Sequence, residues 1–373
     1  MRLSYMSKLF LLSVVLGSSL ALCQQTTTGS VAGKVFLQDT HGPALGAFVS
    51  LFSAISPPEV PEEGEYVMKD STTPKDLNAR VANDGSFEID SVPPGQYGVL
   101  LYKPGYISQD PRLHVALPTL RSPQSIVVLA GQRRSIELEM ERGGSIEGNV
   151  TLADGRAAHT GMQVAAEFAV NVEIETEPGK FNRFGGAAHT DSTGHYSIDS
   201  LPTGRYLVFT ALPGGMVPTA RGSVGTSGRV IFAPSSMRPS KAEVVEVQQP
   251  RVHSGVDIQV PTQGLHSIAG TLVDGSGNPI TNGLIRLFPK GEPDLSLSAP
   301  PGIHGEFSFT DLPNDEYTLR AESYGESSVL GMTEDKTGIR MMRHKAPFAP
   351  VSIEVTISGH DSTAVVLRVI SSQ

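Results

Sequence analysis

From Ser30 onward, apolar and polar residues alternate in short runs, with a period of two and not 3.6. Phe87 and Ile89 lie two apart, as do Tyr196 and Ile198, and Phe307 and Phe309. Each pair therefore shares one face of a strand. No segment sustains an apolar repeat of helical spacing. The runs are short and are separated by Gly, Pro, Asn and Asp, so the pattern predicts an all-β chain of short strands and tight turns, a sandwich or a barrel.

The pattern also repeats. Asp84 to Tyr97 reads DGSFEIDSVPPGQY, Thr193 to Tyr206 reads TGHYSIDSLPTGRY, and His304 to Tyr317 reads HGEFSFTDLPNDEY. Gly85, Gly194 and Gly305 set periods of 109 and 111 residues. A Gly directly before an aromatic suits a positive-φ turn. The Pro after Val92, Leu201 or Leu312 removes a donor and ends that strand. Gly95 and Gly204 are expected to turn the chain, with Asp315 in that place in the third unit. Tyr97, Tyr206 and Tyr317 then open the next strand as core or corner residues. SVAGKV at Ser30, SIEGNV at Ser145 and SIAGTL at Ser267 precede these blocks as opening strands. Each is followed by a turn (Asp39 to Pro43, Asp154-Gly155, Asp274 to Pro279) and an alternating strand ending at Phe52, Phe168 or Phe288. Ile126 to Met140, Val244 to Val260 and Ile353 to Val369 close the units as two strands joined by a polar turn. Three blocks in the same order, three times over, predict three tandem modules: 24–142, 143–263 and 264–373. The seams fall near Arg142-Gly143 and Gln263-Gly264.

Each unit resembles the carboxypeptidase regulatory-like domain. The Ser-x-x-Gly opening strand, the Asp-Gly turn and the Gly-x-aromatic-x-Ile/Phe-x-x-Val/Leu-Pro-x-Gly-x-Tyr block carry the resemblance. It implies three seven-stranded Greek-key β-sandwiches of prealbumin-like type, used as accessory modules beside peptidases, at the start of outer-membrane receptors or in strings on bacterial surfaces. Starch-binding-like domains are a related fold. The second unit departs at Thr193, where Asp is usual, and its opening turn lacks the usual Pro. Both departures bear on turn geometry and not on the fold.

The length of 373 residues agrees with two or three domains. The 39 Gly and 27 Pro are scattered between apolar runs, as turns are. Arg2 and Lys8, the apolar run Leu9 to Leu16 and the small-residue stretch Ser18 to Cys23 read as an export signal covering residues 1–23. No stretch approaches the ~20 apolar residues a membrane span needs. Cys23 is the only cysteine. Either cleavage removes it with the signal, or Leu20 to Cys23 acts as a lipobox and Cys23 becomes a lipid-anchored first residue. Neither outcome allows a disulfide within the chain, so the cores must supply stability. The net charge is −9, and −11 once Arg2 and Lys8 are gone. That sign argues against a nucleic-acid surface, which requires clustered Lys and Arg.

Candidate chemistry is sparse. The sequence holds no HExxH, no G-x-S-x-G leading into a helix and no phosphate-cradling loop, so no catalytic, cofactor or metal site is expected. His189 and His195 flank a turn beside Asp191 and read as solvated loop residues. Three long segments interrupt the units: the acidic Ser56 to Lys75, the Gly/Ser/Pro-rich Pro213 to Lys241, and the basic, Met-rich Lys336 to Lys345. The acidic one reads as a solvated loop. In the basic one, Arg340 and Arg343 beside a Met pair are candidates for docking a partner. A sugar-binding surface needs an exposed flat aromatic. There is no Trp, and the repeat claims Tyr97, Tyr196, Tyr206 and Tyr317. Tyr66, Tyr102, Tyr106 and Tyr324 remain, and Tyr106 and Tyr324 stand at matching places in their units. The expected function is a non-catalytic protein, secreted, periplasmic or held at the cell envelope, whose loops meet a protein or polysaccharide. The alternative is a dedicated carbohydrate-binding protein.

Overall fold

The computed structural model describes residues 28–53, 61–69, 77–108, 126–169, 184–212, 214, 216–219, 222–225, 228–293, 296–323, 327–334 and 338–370. The protein is all-β, as three β-sandwiches built to one plan. Their buried apolar residues form three clusters, within 31–140, 146–260 and 268–369.

In the first module the opening strand Gly29–Leu37 pairs antiparallel with Ser86–Val92 and parallel with the last strand, Arg133–Arg142. The facing sheet sets Phe48–Ser53 between Asn78–Arg80 and Gly95–Tyr102, with Ile126–Val128 beyond. In the third module His266–Val273 lies between Glu306–Leu312 and Ser362–Arg368. Its facing sheet runs Leu297–Ala299, Leu284–Pro289, Asp315–Glu322, Val351–Ile357. The second module repeats this with two differences: its last strand is split into Val252–Ser254 and Ile258–Val260, and Val230–Phe232 pairs with Gly204–Ala211 beside Val244–Val247. The two-strand closing block therefore crosses between sheets: its first strand extends one, its second lies parallel to the opening strand in the other.

The repeated residues have repeated reasons. A Cβ on Gly33 or Gly270 would overlap a carbonyl of the parallel last strand, that of Ile136 or Val365, and one on Gly148 the carbonyl of Val256 in the break between the two halves of the split last strand. It would also press on the aromatic of the neighbouring strand, Phe87, Tyr196 or Phe307. Gly is thus required by close backbone approach. Gly85, Gly194 and Gly305 have φ of +83°, +81° and +76°, as expected of the tight turn. The Thr193 departure is compensated locally: Asp191 Oδ1 accepts the N–H groups of Thr193 and His195 at 2.8 and 3.0 Å. Tyr97, Tyr206 and Tyr317 are buried, and each hydroxyl donates to the carbonyl of the Pro four residues back, at 2.8, 2.8 and 2.9 Å. Gly95 and Gly204 do not turn the chain. They begin the next strand, and the two residues before each make the whole turn.

One repeated feature is a bulge. The register of the opening strand slips opposite Asp90-Ser91, Asp199-Ser200 and Thr310-Asp311. Ser91, Ser200 and Asp311 are left-handed, with φ of 57°, 60° and 60°. The extra residue lets Val92, Leu201 and Leu312 face the core beside aromatics five places earlier, an odd spacing that a regular strand would send outward.

The modules touch at two seams. At the first, Gly143 N donates to Gly105 O (3.0 Å) and Gly105 N to the bulge residue Ser200 Oγ (2.9 Å). At the second, Arg229 Nη1 donates to the carbonyl of the bulge residue Asp311 (2.9 Å). Met237 packs against both the second and third cores. Beside it Arg238 holds Asp315 with two bonds, of 2.6 and 2.8 Å, and reaches Glu292 at 3.2 Å and Lys290 O at 3.0 Å.

Candidate interaction surface

The first and third modules also meet through their insertions. Strand Gly64–Lys69, from the acidic segment of the first module, pairs antiparallel with Gly338–Arg343 of the third, which pairs in turn with Ser327–Met332. The result is a three-stranded sheet outside the three sandwiches, with Gly338–Arg343 at its centre. The segment expected to be a basic loop is thus a strand. Ile339 and Met341 alternate with Arg340 and Met342, and the short period-two signal is hidden by basic composition.

Register sorts the side chains. Ile339 lies opposite Met68 and Met332, and Met341 opposite Tyr66 and Val329. These six share one face, because residues directly opposite each other point the same way. Val329 is 68% exposed and Met332 63%. Tyr66 is held there, its hydroxyl donating to Ser327 Oγ at 2.9 Å. The other face carries Arg340, whose guanidinium meets Glu65 at 3.2 Å. Both partners are about half exposed, so this pair fixes register more than it stabilises. Arg343 lies opposite Gly64 and Ser327, at the end of the apolar face.

Tyr106 is placed differently. Its strand, Tyr106–Ser108, pairs with the end of Arg133–Arg142. The hydroxyl donates to Asp39 Oδ2 at 3.2 Å, Arg142 lies 5.1 Å from the ring centroid, and Lys103 lies 5.6 Å from it. Arg142 Nε also holds Asp39 at 2.7 Å, and that bond keeps the Asp39 carboxyl below the ordinary carboxylate range. Tyr106 is thereby tied into the first module near the seam, with two cations against its ring. Tyr324 lies outside the described residues, as do Cys23 and the whole of 1–23. Tyr102 is 60% exposed on the outer face of its sheet, directly opposite Phe48, over which Arg80 stands at 4.8 Å. A separate open groove of about 530 Å³ crosses the other sheet of the first module, lined by Lys34, Arg80, Arg133, Glu88 and Glu137.

Among the described residues no three His, Cys, Asp or Glu side chains gather as metal ligands would. The strongly displaced ionisable groups are three core tyrosines and Arg238: burial pushes Tyr196, Tyr206 and Tyr317 well above the usual phenol range, and the bond to Asp315 raises Arg238. Of the residues on this sheet, sequence reasoning singled out Arg340 and Arg343 and considered Tyr66, but did not single out Met68, Val329, Ile339 or Met332. The alternation of 64–69 and 338–343 was a usable signal for strands. Their pairing across more than 260 residues was not.

No family model matches the chain, and no curated protein does. Among solved structures it is similar to the Bacillus anthracis TIE protein, at 17% identity and a TM-score of 0.20 over 92% of this chain and 51% of that one. The chain thus spans about half the length of that protein. It is also similar to a streptococcal ancillary pilin (11% identity, TM-score 0.25, 92% and 99% covered). A minor pilin of Streptococcus agalactiae is a third (10%, TM-score 0.25, 62% and 97%). Likenesses of this strength carry no argument about function.

Proposed function

We propose that the chain is an exported, non-catalytic modular protein that binds a protein partner, at the cell envelope or outside it, through the sheet formed by its end-module insertions. One observation carries this reading: the apolar face of Tyr66, Met68, Val329, Met332, Ile339 and Met341 is contiguous, exposed at Met68, Val329, Met332 and Ile339, half-buried at Tyr66 and Met341, and used by none of the three cores. Contiguous exposed apolar surface marks interaction sites, whereas single exposed apolar residues do not. Insertions on a rigid sandwich are an ordinary place for recognition. Immobilised protein should retain a partner from an envelope extract, and Val329→Glu with Met332→Glu should abolish retention without changing the melt. Titration of the purified partner must then reproduce the loss. Retention unaffected by the double variant would overturn this reading. So would hydrolysis of a peptide or glycan that a single His or Glu substitution abolishes.

A second reading rests on Tyr102. With Phe48 it forms an outward aromatic pair flanked by Arg80 and Asn78, which suits the apolar face of a sugar. A glycan array probed with the parent and with Tyr102→Ala tests it, and identical profiles would dismiss it.

A further inference from the structure

The contact between the end modules has a property that the seams lack. Among the described residues Gly64–Lys69 pairs with no strand of its own module, only with the third module's Gly338–Arg343. The sandwich sheets of both end modules are complete without it. The sheet can therefore open without disturbing a hydrophobic core, as low-stability elements do. Once open, each end exposes a strand edge, and an unpaired edge is a template for any complementary strand. The two edges complement each other in length, six residues against six, and in charge, Glu65 against Arg340. The two surfaces are different, so the contact is heterologous. It closes on itself within one chain or propagates between chains.

We propose that this sheet is exchangeable, and that the paired strands Ser327–Met332 and Gly338–Arg343 of one molecule add Gly64–Lys69 of a second copy, in the register seen within one chain. The partner is the same protein, joined head to tail. Within one chain the two strands are tethered and meet at high effective concentration, so closure dominates in dilute solution. Crowding or surface tethering raises the competing concentration and shifts pairing to neighbouring copies. The inference is independent of the envelope partner proposed above, since it concerns strand edges and not the apolar face.

Paired cysteines test it, because Cys23 is the only native thiol. In a full chain carrying Cys23→Ser, Met68→Cys and Ile339→Cys stand directly opposite each other, at positions 46% and 42% exposed where folding tolerates change. The double variant should oxidise to an intrachain disulfide, seen as altered mobility of a monomer. A mixture of the two single variants should give mixed-disulfide dimers whose fraction rises with protein concentration. Leu45→Cys mixed with Ile339→Cys supplies the random-collision background, since Leu45 is exposed in a turn of the first module and belongs to none of the three strands of that sheet. Dimers no more abundant than that background up to about 1 mM would overturn exchange, and failure of the double variant to link would overturn the pairing itself. A thiol-free readout is charge reversal. Mixing Glu65→Arg copies with Arg340→Glu copies should bring association to about two- to fivefold lower concentration than either alone, the range of one exposed ion pair. No gain on mixing would count against the register.

Discussion

The corner tyrosines are where a single residue decides most. Tyr206 is fully buried, with its hydroxyl on Pro202 O at 2.8 Å, so it both fills the second core and closes the turn before its own strand. Tyr206→Phe keeps the ring and leaves that carbonyl without its donor. It should cost about 1 kcal/mol, read as a shift in urea midpoint with unchanged slope. Gly270 should be less forgiving. An alanine there would overlap Val365 O and bring its Cβ to 2.8 Å from the Phe307 ring. Neither neighbour is the free end of a flexible side chain, so the last strand of the third module must shift. Gly270→Ala should destabilise by about 1–3 kcal/mol as overpacking does, with calorimetry placing the loss in the third module and not the first. A melt equal to the parent's would mean that the parallel strand yields without cost.

At the scale of elements, the repeat made strands legible because their side chains alternate, and it made turns legible because Gly85, Gly194 and Gly305 are the only residue type comfortable there. The bulge was not legible. Ser91, Ser200 and Asp311 are unremarkable in composition, and only the odd spacing from Phe87 to Val92 betrays the extra residue. The sheet joining the end modules was hidden for another reason: periodicity reports a strand but never its distant partner. Arg238 was hidden in the same way, in a segment read as Gly/Ser/Pro-rich loop, although Asp315 was already marked as the residue that breaks the Gly pattern. Its carboxyl is why. Burial pushes the Asp315 pKa up, but the Arg238 bonds outweigh it and hold it below the ordinary value. A depressed carboxyl contributes stability that is complete above its unfolded pKa near 4 and lost as pH falls through the folded value. Arg238→Ala strands Asp315 and Glu292, whose side chains are only 24% and 13% exposed, and should cost about 2 kcal/mol at neutral pH, below the figure for fully buried pairs. The difference between parent and variant should narrow in urea melts below pH 4. A difference constant from pH 7 to pH 3 would show that the pair adds nothing pH-dependent to the seam.

At the scale of the molecule, the two seams differ in kind, and cooperativity should follow. The first is mainly polar: beside the single buried Ile107 it consists of the Gly105 and Gly143 backbone contacts, Ser200 Oγ, and Gln249 Nε2 donating to Arg142 O at 3.0 Å. Bonds of this type are worth about 1 kcal/mol each at most when water can replace the partner. The second is apolar at its centre. Met237 belongs to two cores at once, and Val230, Leu287, Pro289, Leu297 and Tyr317 close around it, leaving a cavity of only about 30 Å³. The Arg238 cluster seals its rim. Transfer of apolar surface out of water, unlike exchange of hydrogen bonds, has a net gain that grows with area. The second and third modules should therefore unfold together and the first by itself, giving two calorimetric transitions from three sandwiches. Residues 143–373 should keep the larger transition. Residues 264–373 alone, without Met237 and Arg238, should fold yet melt several degrees lower, at roughly 4–8 °C per kcal/mol for a domain of this size. Combining Met237→Ala with Arg238→Ala in the full chain should split the shared transition in two. Three separate transitions in the unmodified protein, or an isolated third module as stable as in the whole, would refute the coupling.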